Sequence, residues 1–285
     1  MQYEQFRDIF NNRIFEKSKT DLLKKVAEYP DRYTGLFRPT KPRAKLLQNL
    51  LQSNEIRFGD AFEEWIETQL YHKGWAQLPK RVTTVDGQQL SFDQLVEKDN
   101  TILFIEQKVR DDHDSSKKRG QVTNFETKLD YIMLNYPGKK IVSYFYFIDP
   151  SLKKNANYYR QRLGEIAAEY TMPVKLAYGS ELYGALGMVA EWQQNLDWLK
   201  RWKAELDEMP SIDFDENAEV TFGEVKDMLP IVFRKLFTNQ AVMEAILPVL
   251  FPQNAVPKLL RDYFVNHPLP IYQKLASHID DYLAT

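Results

Sequence analysis

The chain contains no cysteine in 285 residues, which excludes disulfides and thiolate metal sites and makes a reducing cytosol the natural setting. No apolar run approaches membrane-spanning length; LPIVFRKLF (229–237) and ILPVLF (246–251) are short and interrupted. The N-terminus, MQYEQFRDIFNNRIFEKSK, is charged throughout and lacks the apolar stretch of a signal peptide. The expectation is therefore a cytoplasmic protein with no membrane partner. Internal repeats and low-complexity segments are lacking too. No charge sign dominates: the formal net charge is −2, which argues against indiscriminate binding of nucleic acid and shifts attention to local clusters.

Two such clusters are basic. RPTKPRAK carries Arg38, Lys41, Arg43 and Lys45 without an acid, and KKRG carries Lys117, Lys118 and Arg119. Contact with a polyanion on one face would explain both, and solvated loops would explain either one alone. With 44% hydrophobic and 27% charged residues, the composition is that of an ordinary globular protein.

The first 52 residues read as mostly helical, with LLKKVAEY and AKLLQNLLQ separated by the proline-bearing stretch 38–43. FGDAFEEWIETQLYHKGW predicts a helix with Ala61, Phe62, Trp65, Ile66, Gln69 and Leu70 on one side and Gly74 as its stop. Residues 81–85 alternate as a strand, and Asp86-Gly87 suits a turn into the next strand, 90–97. A second hairpin joins 90–97 to 101–109 through Asp99-Asn100, and RDDHDSSKKRGQ follows as a polar loop. Then come a helix over 121–136, a strand buried on both faces in KKIVSYFYFID, an amphipathic helix over 157–170 and a short strand ended by Gly179.

This order predicts an α/β fold with a mixed central β-sheet flanked by helices. N-terminal helices (1–54) would precede the core (55–187), and a helical C-terminal region (188–285) would follow it. In that region EMPSIDFDENAEV reads as an acidic linker. Trp192, Trp198 and Trp202 read as core packing, with a dimer seam as the alternative.

The second hairpin carries the chemistry. With Lys98 and Thr101 closing a two-residue turn, paired residue numbers sum to 199, and Asp93 lies across from Glu106. Lys108, two residues further on, points to the same face. Two facing carboxylates repel, and a divalent cation is the natural compensation. Asp93, Glu106 and the backbone carbonyl of Gln107 would supply hard oxygen ligands, and Lys108 would hold or deprotonate a water. Glu-x-Lys alone is a weak pattern, and an exposed edge strand with a simple salt bridge is the plain alternative. The apolar run Ile102–Ile105 before it places the charges in a sheet core, where unpaired charge is expensive.

Asp93, Glu106-Gln107-Lys108 and the preceding helix with Gly59 and Phe62-Glu63 resemble the PD-(D/E)XK nuclease superfamily, and within it the type II restriction endonucleases. IEQKVRDDHDSSKKRGQ is similar to their strand-to-loop segment after the site, and VKLAYGSELY to a later core strand and turn. The resemblance covers approximately residues 55–185. Phe92 stands where the family often has proline, and Asp99, a competing first acid, falls in the turn.

The resemblance implies a restriction-endonuclease-like core with Asp93, Glu106, Lys108 and Glu63 as catalytic residues, Glu63 reaching the metal or its waters from the helix. It implies Mg²⁺, with Mn²⁺ able to substitute, sequence-specific hydrolysis of double-stranded DNA to 5′-phosphate ends, a homodimer, and a cognate DNA methyltransferase as genetic partner. Bases would be read by Arg110, Asp112, His113, Asp114, Lys117, Lys118, Arg119 and Gln121, and phosphates held by Arg38, Lys41, Arg43 and Lys45. His113 as a metal ligand is poorly supported, because it lacks partners nearby. A structure-specific repair or recombination nuclease on the same core, and a helical DNA-binding protein without chemistry, are the competing functions.

Overall fold

The computed structural model describes residues 1–111 and 114–284. The chain opens with α1 (Tyr3–Phe15), α2 (Ser18–Glu28), α3 (Asp31–Thr34) and the long α4 (Pro42–His72). Short strands β1 (Ala76–Gln77), β2 (Arg81–Thr83) and β3 (Gln89–Ser91) lead to the hairpin of β4 (Gln94–Lys98) and β5 (Thr101–Lys108). Next come α5 (Ser115–Asn135), β6 (Lys140–Phe147), α6 (Ala156–Tyr170), β7 (Val174–Tyr178), α7 (Ser180–Ala185) and α8 (Val189–Ala204). The remainder is helical: α9 (Ala218–Val225), α10 (Pro230–Thr238), α11 (Gln240–Ala245), α12 (Leu247–Leu250), α13 (Ala255–Val265) and α14 (Pro270–Leu283).

The chain divides into two compact units, one formed by Met1–Ile9 with Gly59–Glu205, the other by Phe10–Phe58 with the chain from Leu206 onward. The first unit holds a five-stranded sheet in the order β1-β4-β5-β6-β7. The β1/β4 and β4/β5 pairs are antiparallel, and β5/β6 and β6/β7 are parallel. The sheet is therefore mixed, as expected, with α5 and α6 as the crossovers that parallel neighbours require. β2 and β3 form a separate two-stranded sheet.

Aromatic side chains weld the sheet to the helices. Phe104 stacks on Phe125 of α5 at 4.9 Å, and Phe145 stacks on Tyr159 of α6 at 5.0 Å. Leu129, Ile132, Leu163 and Ile166 fill the same core. The α8 indoles also pack inside this unit: Trp192 and Trp202 are buried, and Trp198 lies 5.6 Å from Trp65 and 5.7 Å from Phe6.

The second unit is a helical cluster around Leu22, Leu23, Val26, Phe233, Phe264 and Ile279. Proline occupies the first turn of α10, α12 and α14, where its missing N–H costs nothing.

Three local expectations are corrected. The strand predicted over 90–97 breaks at Phe92-Asp93, so β3 and β4 belong to different sheets. The two helices predicted over 44–52 and 58–75 form the single helix α4. The polar loop predicted over 110–121 becomes helical from Ser115, because the Asp114 side chain caps α5 by accepting from the Lys117 backbone N–H. The acidic stretch 208–220, expected as a linker, has no regular structure before α9 and is anchored at its middle: Ile212 and Phe214 are buried, and the Asp215 carboxylate accepts from the backbone N–H groups of Gln253 and Val256.

Candidate active site at the end of the hairpin

The turn sets the register. Asp99 and Asn100 have φ of 47° and 61°, the left-handed pair of a two-residue hairpin. Lys98 pairs with Thr101 and Gln94 with Ile105, so the expected register holds along the whole ladder. Asp93 follows one step beyond the last pair, opposite Glu106. Its carboxylate accepts the backbone N–H of Gln107 at 2.7 Å.

Alternation along β5 then distributes the side chains. Phe104 and Glu106 face α5, and Gln107 faces α4. Gln107 Nε2 donates to the Gly59 carbonyl at 3.4 Å, and Gln94 Nε2 donates to the Glu63 carbonyl at 2.7 Å. Those carbonyls lie one turn apart on α4, so two glutamine amides tie that turn to the hairpin. A Cβ at Gly59 would stand 3.2 Å from Val109 Cγ2, a close approach that glycine makes easy.

The three predicted residues converge. Lys108 Nζ lies 2.7 Å from Glu106 Oε1, 2.9 Å from the Gln107 carbonyl oxygen and 3.5 Å from Asp93 Oδ2. The three oxygens singled out in the sequence as cation ligands thus surround one ammonium group. A hard donor set gathered on a single positive charge fits a hard divalent cation. Among the described residues no three Asp, Glu or His side chains form a metal-type cluster; the oxygens gathered on Lys108 belong to two carboxylates and a carbonyl.

Glu106 is the most deeply set member, with a side chain only 3% exposed. Its other oxygen, Oε2, accepts from Lys128 Nζ at 2.6 Å, and the Lys128 side chain is 4% exposed. Burial pushes the Asp93 carboxyl above its ordinary range, and Glu106 adds repulsion; Lys108, Lys128 and the Gln107 N–H offset only part of this. Burial alone would lower the Lys108 pKa, but Glu106 and Asp93 outweigh it, so the group is held above the usual lysine value as an ammonium.

Glu63 stands apart from this cluster. Its carboxylate accepts from Lys80 Nζ at 2.6 Å, and Lys80 also reaches Glu67 at 2.9 Å. Burial raises the Glu63 pKa against the pull of Lys80, and the Asp93 charge is near enough to add to the rise.

Sequence reasoning missed Lys128 and Lys80. Lys128 carried a signal: it lies on the apolar stripe of α5, three residues after Phe125 and four before Ile132, where a cation needs a buried partner. Lys80 sits in an irregular segment and carried none.

The expected DNA-reading residues divide. Asp112 and His113 lie outside the described residues. Arg110, Asp114, Lys117 and Arg119 are exposed, Asp114 being the cap of α5. Lys118 and Gln121 instead join α5 to α6. Lys118 donates to Asn155 Oδ1 at 3.2 Å and lies 4.6 Å from the Tyr158 ring, and Gln121 accepts from the Tyr159 hydroxyl at 2.7 Å. Arg38, Lys41 and Arg43 are exposed, and Lys45 donates to Gln48. All four belong to the other unit.

No curated protein matches the chain. Residues 69–203 match the family model described as type II restriction endonuclease, HinfI. That segment spans every strand of the sheet together with Asp93, Glu106, Lys108 and Lys128, and leaves out Glu63 and the basic stretch 38–45. Enzymes of this kind bind DNA and generally use a divalent metal. On this match and a five-stranded mixed sheet flanked by helices, residues 69–203 form a domain of the type II restriction endonuclease kind, that of a site-specific deoxyribonuclease.

Proposed function

We propose that the protein cuts both strands of a short palindromic or near-palindromic DNA site as a homodimer, using Mg²⁺ (or Mn²⁺) at Asp93, Glu106 and the Gln107 carbonyl and leaving 5′-phosphate ends. The observation that carries this reading is the convergence of those three oxygens on one ammonium, Lys108 Nζ. The chemistry is carried by residues 55–187, with helical segments 1–54 and 188–285 on either side.

A divalent cation supplies charge stabilisation on the phosphate and acidifies bound water. The chain's own groups do the rest. Asp93 and Glu106 would hold the cation at the end of β5. Lys108, as an ammonium, donates to a phosphate oxygen and holds the attacking water. Glu63, held on Lys80 outside the cluster, would act on the site through water. Water adds to phosphorus and gives its proton to solvent as the bond to the 3′ oxygen breaks, and the departing 3′ oxygen takes up a proton from solvent. Arg110, Asp112, His113, Asp114, Lys117, Lys118, Arg119 and Gln121 read bases; Arg38, Lys41, Arg43 and Lys45 hold phosphates. A cytoplasmic setting beside a protecting DNA methyltransferase follows from the same reading. Among the described residues no helix is long and apolar enough to cross a membrane.

Digestion of supercoiled plasmid tests this directly. Discrete fragments are expected with Mg²⁺, none with EDTA, and their ends should share one sequence. Lys108→Ala should slow cleavage by roughly 10²–10³-fold or more, the usual loss when a donor to developing charge is removed, while retaining site-specific binding in a gel shift. Normal cutting by that variant would remove Lys108 from the mechanism.

A further inference from the structure

Lys128 is a buried cation beside the site to which the proposed reaction gives no part. Its Nζ holds Glu106 Oε2 at 2.6 Å, with both side chains almost fully enclosed. The other oxygen, Oε1, accepts from Lys108 Nζ, the ammonium that also meets the Gln107 carbonyl and Asp93 oxygens. Glu106 is thus divided: one oxygen is committed to the α5 side, and one is offered to the site.

We infer that Lys128 selects the metal, by confining Glu106 to a single coordinating oxygen. The inference rests on the reading of Glu106 as a cation ligand. A carboxylate that offers one oxygen suits Mg²⁺, which demands near-octahedral geometry with few protein ligands. Ca²⁺ takes six to eight oxygens and readily binds both oxygens of one carboxylate. Locking Oε2 to an ammonium denies Ca²⁺ that mode and leaves the Mg²⁺ mode intact. The lysine suits the task because both ends of the bond are held: β5 holds the Glu106 backbone in the sheet, and Lys128 sits on α5 with its side chain only 4% exposed. Lys128 therefore acts through Glu106 as a positioning residue, without touching substrate.

The test uses full-length, DNA-free protein and follows melting temperature against MgCl₂ and CaCl₂, since a ligand that binds the folded state raises it in proportion to affinity. Lys128→Met should improve Ca²⁺ binding relative to Mg²⁺ by about tenfold, and Lys128→Arg, which keeps a donor on Oε2, should stay near the wild-type ratio. An unchanged ratio in Lys128→Met overturns the inference while leaving the metal site standing. If neither cation stabilises the wild-type protein in a way that Asp93→Asn abolishes, the metal site itself falls, and this inference with it.

Should Lys128→Met fail to fold, infrared difference spectra decide the matter on a chain with the native lysine. Glutamate carboxyls are labelled with ¹³C in a Glu63→Gln background, so that Glu106 is the glutamate ligand observed. A one-oxygen carboxylate splitting with Ca²⁺ supports the assignment, and a two-oxygen splitting overturns it.

Discussion

Asp93 shows what the site costs the fold. Its carboxyl is raised above the ordinary aspartate value, first by burial and then by Glu106. A group whose folded pKa exceeds its unfolded pKa favours the native state below the unfolded value, and that contribution is lost as pH rises through the folded one. Ionised Asp93 therefore weakens the metal-free protein at neutral pH. Asp93→Asn, which keeps an oxygen near the Gln107 N–H, should melt higher than wild type at pH 7 without metal. Its stability should fall less steeply with rising pH just above the ordinary aspartate value of 3.8. The same variant should lose any rise in melting temperature on adding Mg²⁺. Lower metal-free stability of Asp93→Asn at pH 7 would mean that the salt bridge to Lys108 outweighs burial, and the strain ascribed to the site would be absent. Such an exchange of stability for function is common at sites built to bind charge.

At the scale of elements, the hairpin was legible because a two-residue turn leaves one register open, and Asp99-Asn100 fits that turn by tolerating left-handed backbone. Knowing the turn gives Asp93 opposite Glu106 with no tertiary information. The fusion of α4 was less legible. Ser53-Asn54-Glu55 reads as a polar gap, yet no proline or glycine lies between Ala44 and Phe58 to end a helix. The start of α5 was hidden by charge: DHDSSKKR looks solvated, and its one structural cue is the cap at Asp114. Lys80 was invisible because its partners, Glu63 and Glu67, are joined to it by tertiary packing alone. The turn offers a stability test independent of catalysis. Asn100→Gly should stabilise by a few tenths of a kcal/mol, as glycine enters the left-handed region freely. Asn100→Val should cost about 1–2 kcal/mol. Urea midpoints at unchanged slope would read both, and equal midpoints for Gly and Val would mean that the turn does not fix the register.

For the whole molecule the question is how a chain of net charge −2 holds a polyanion. Long-range attraction from total charge does not operate, so binding must come from local cations that displace the counterions of DNA. The site is itself a source of negative charge, and phosphate can approach it only where cations outnumber carboxylates. The stretch from Arg38 to Lys45 offers four cations without an acid, in the unit that does not contain the sheet. If these side chains hold phosphates, they fix position and carry no sequence information. Replacing all four with glutamine should weaken cognate and non-cognate duplexes by the same factor. It should also reduce the slope of log affinity against log salt by about 0.9 for each phosphate no longer neutralised. Fluorescence anisotropy over about 50–200 mM salt, with Ca²⁺ in place of Mg²⁺ to prevent cutting, measures both quantities at once. Arg119→Gln, on the exposed first turns of α5, should behave differently, weakening cognate DNA more than non-cognate if it reads a base. Weakening confined to the cognate duplex in the quadruple variant would move sequence reading to the helical unit, and an unchanged salt slope would remove that stretch from the DNA surface altogether.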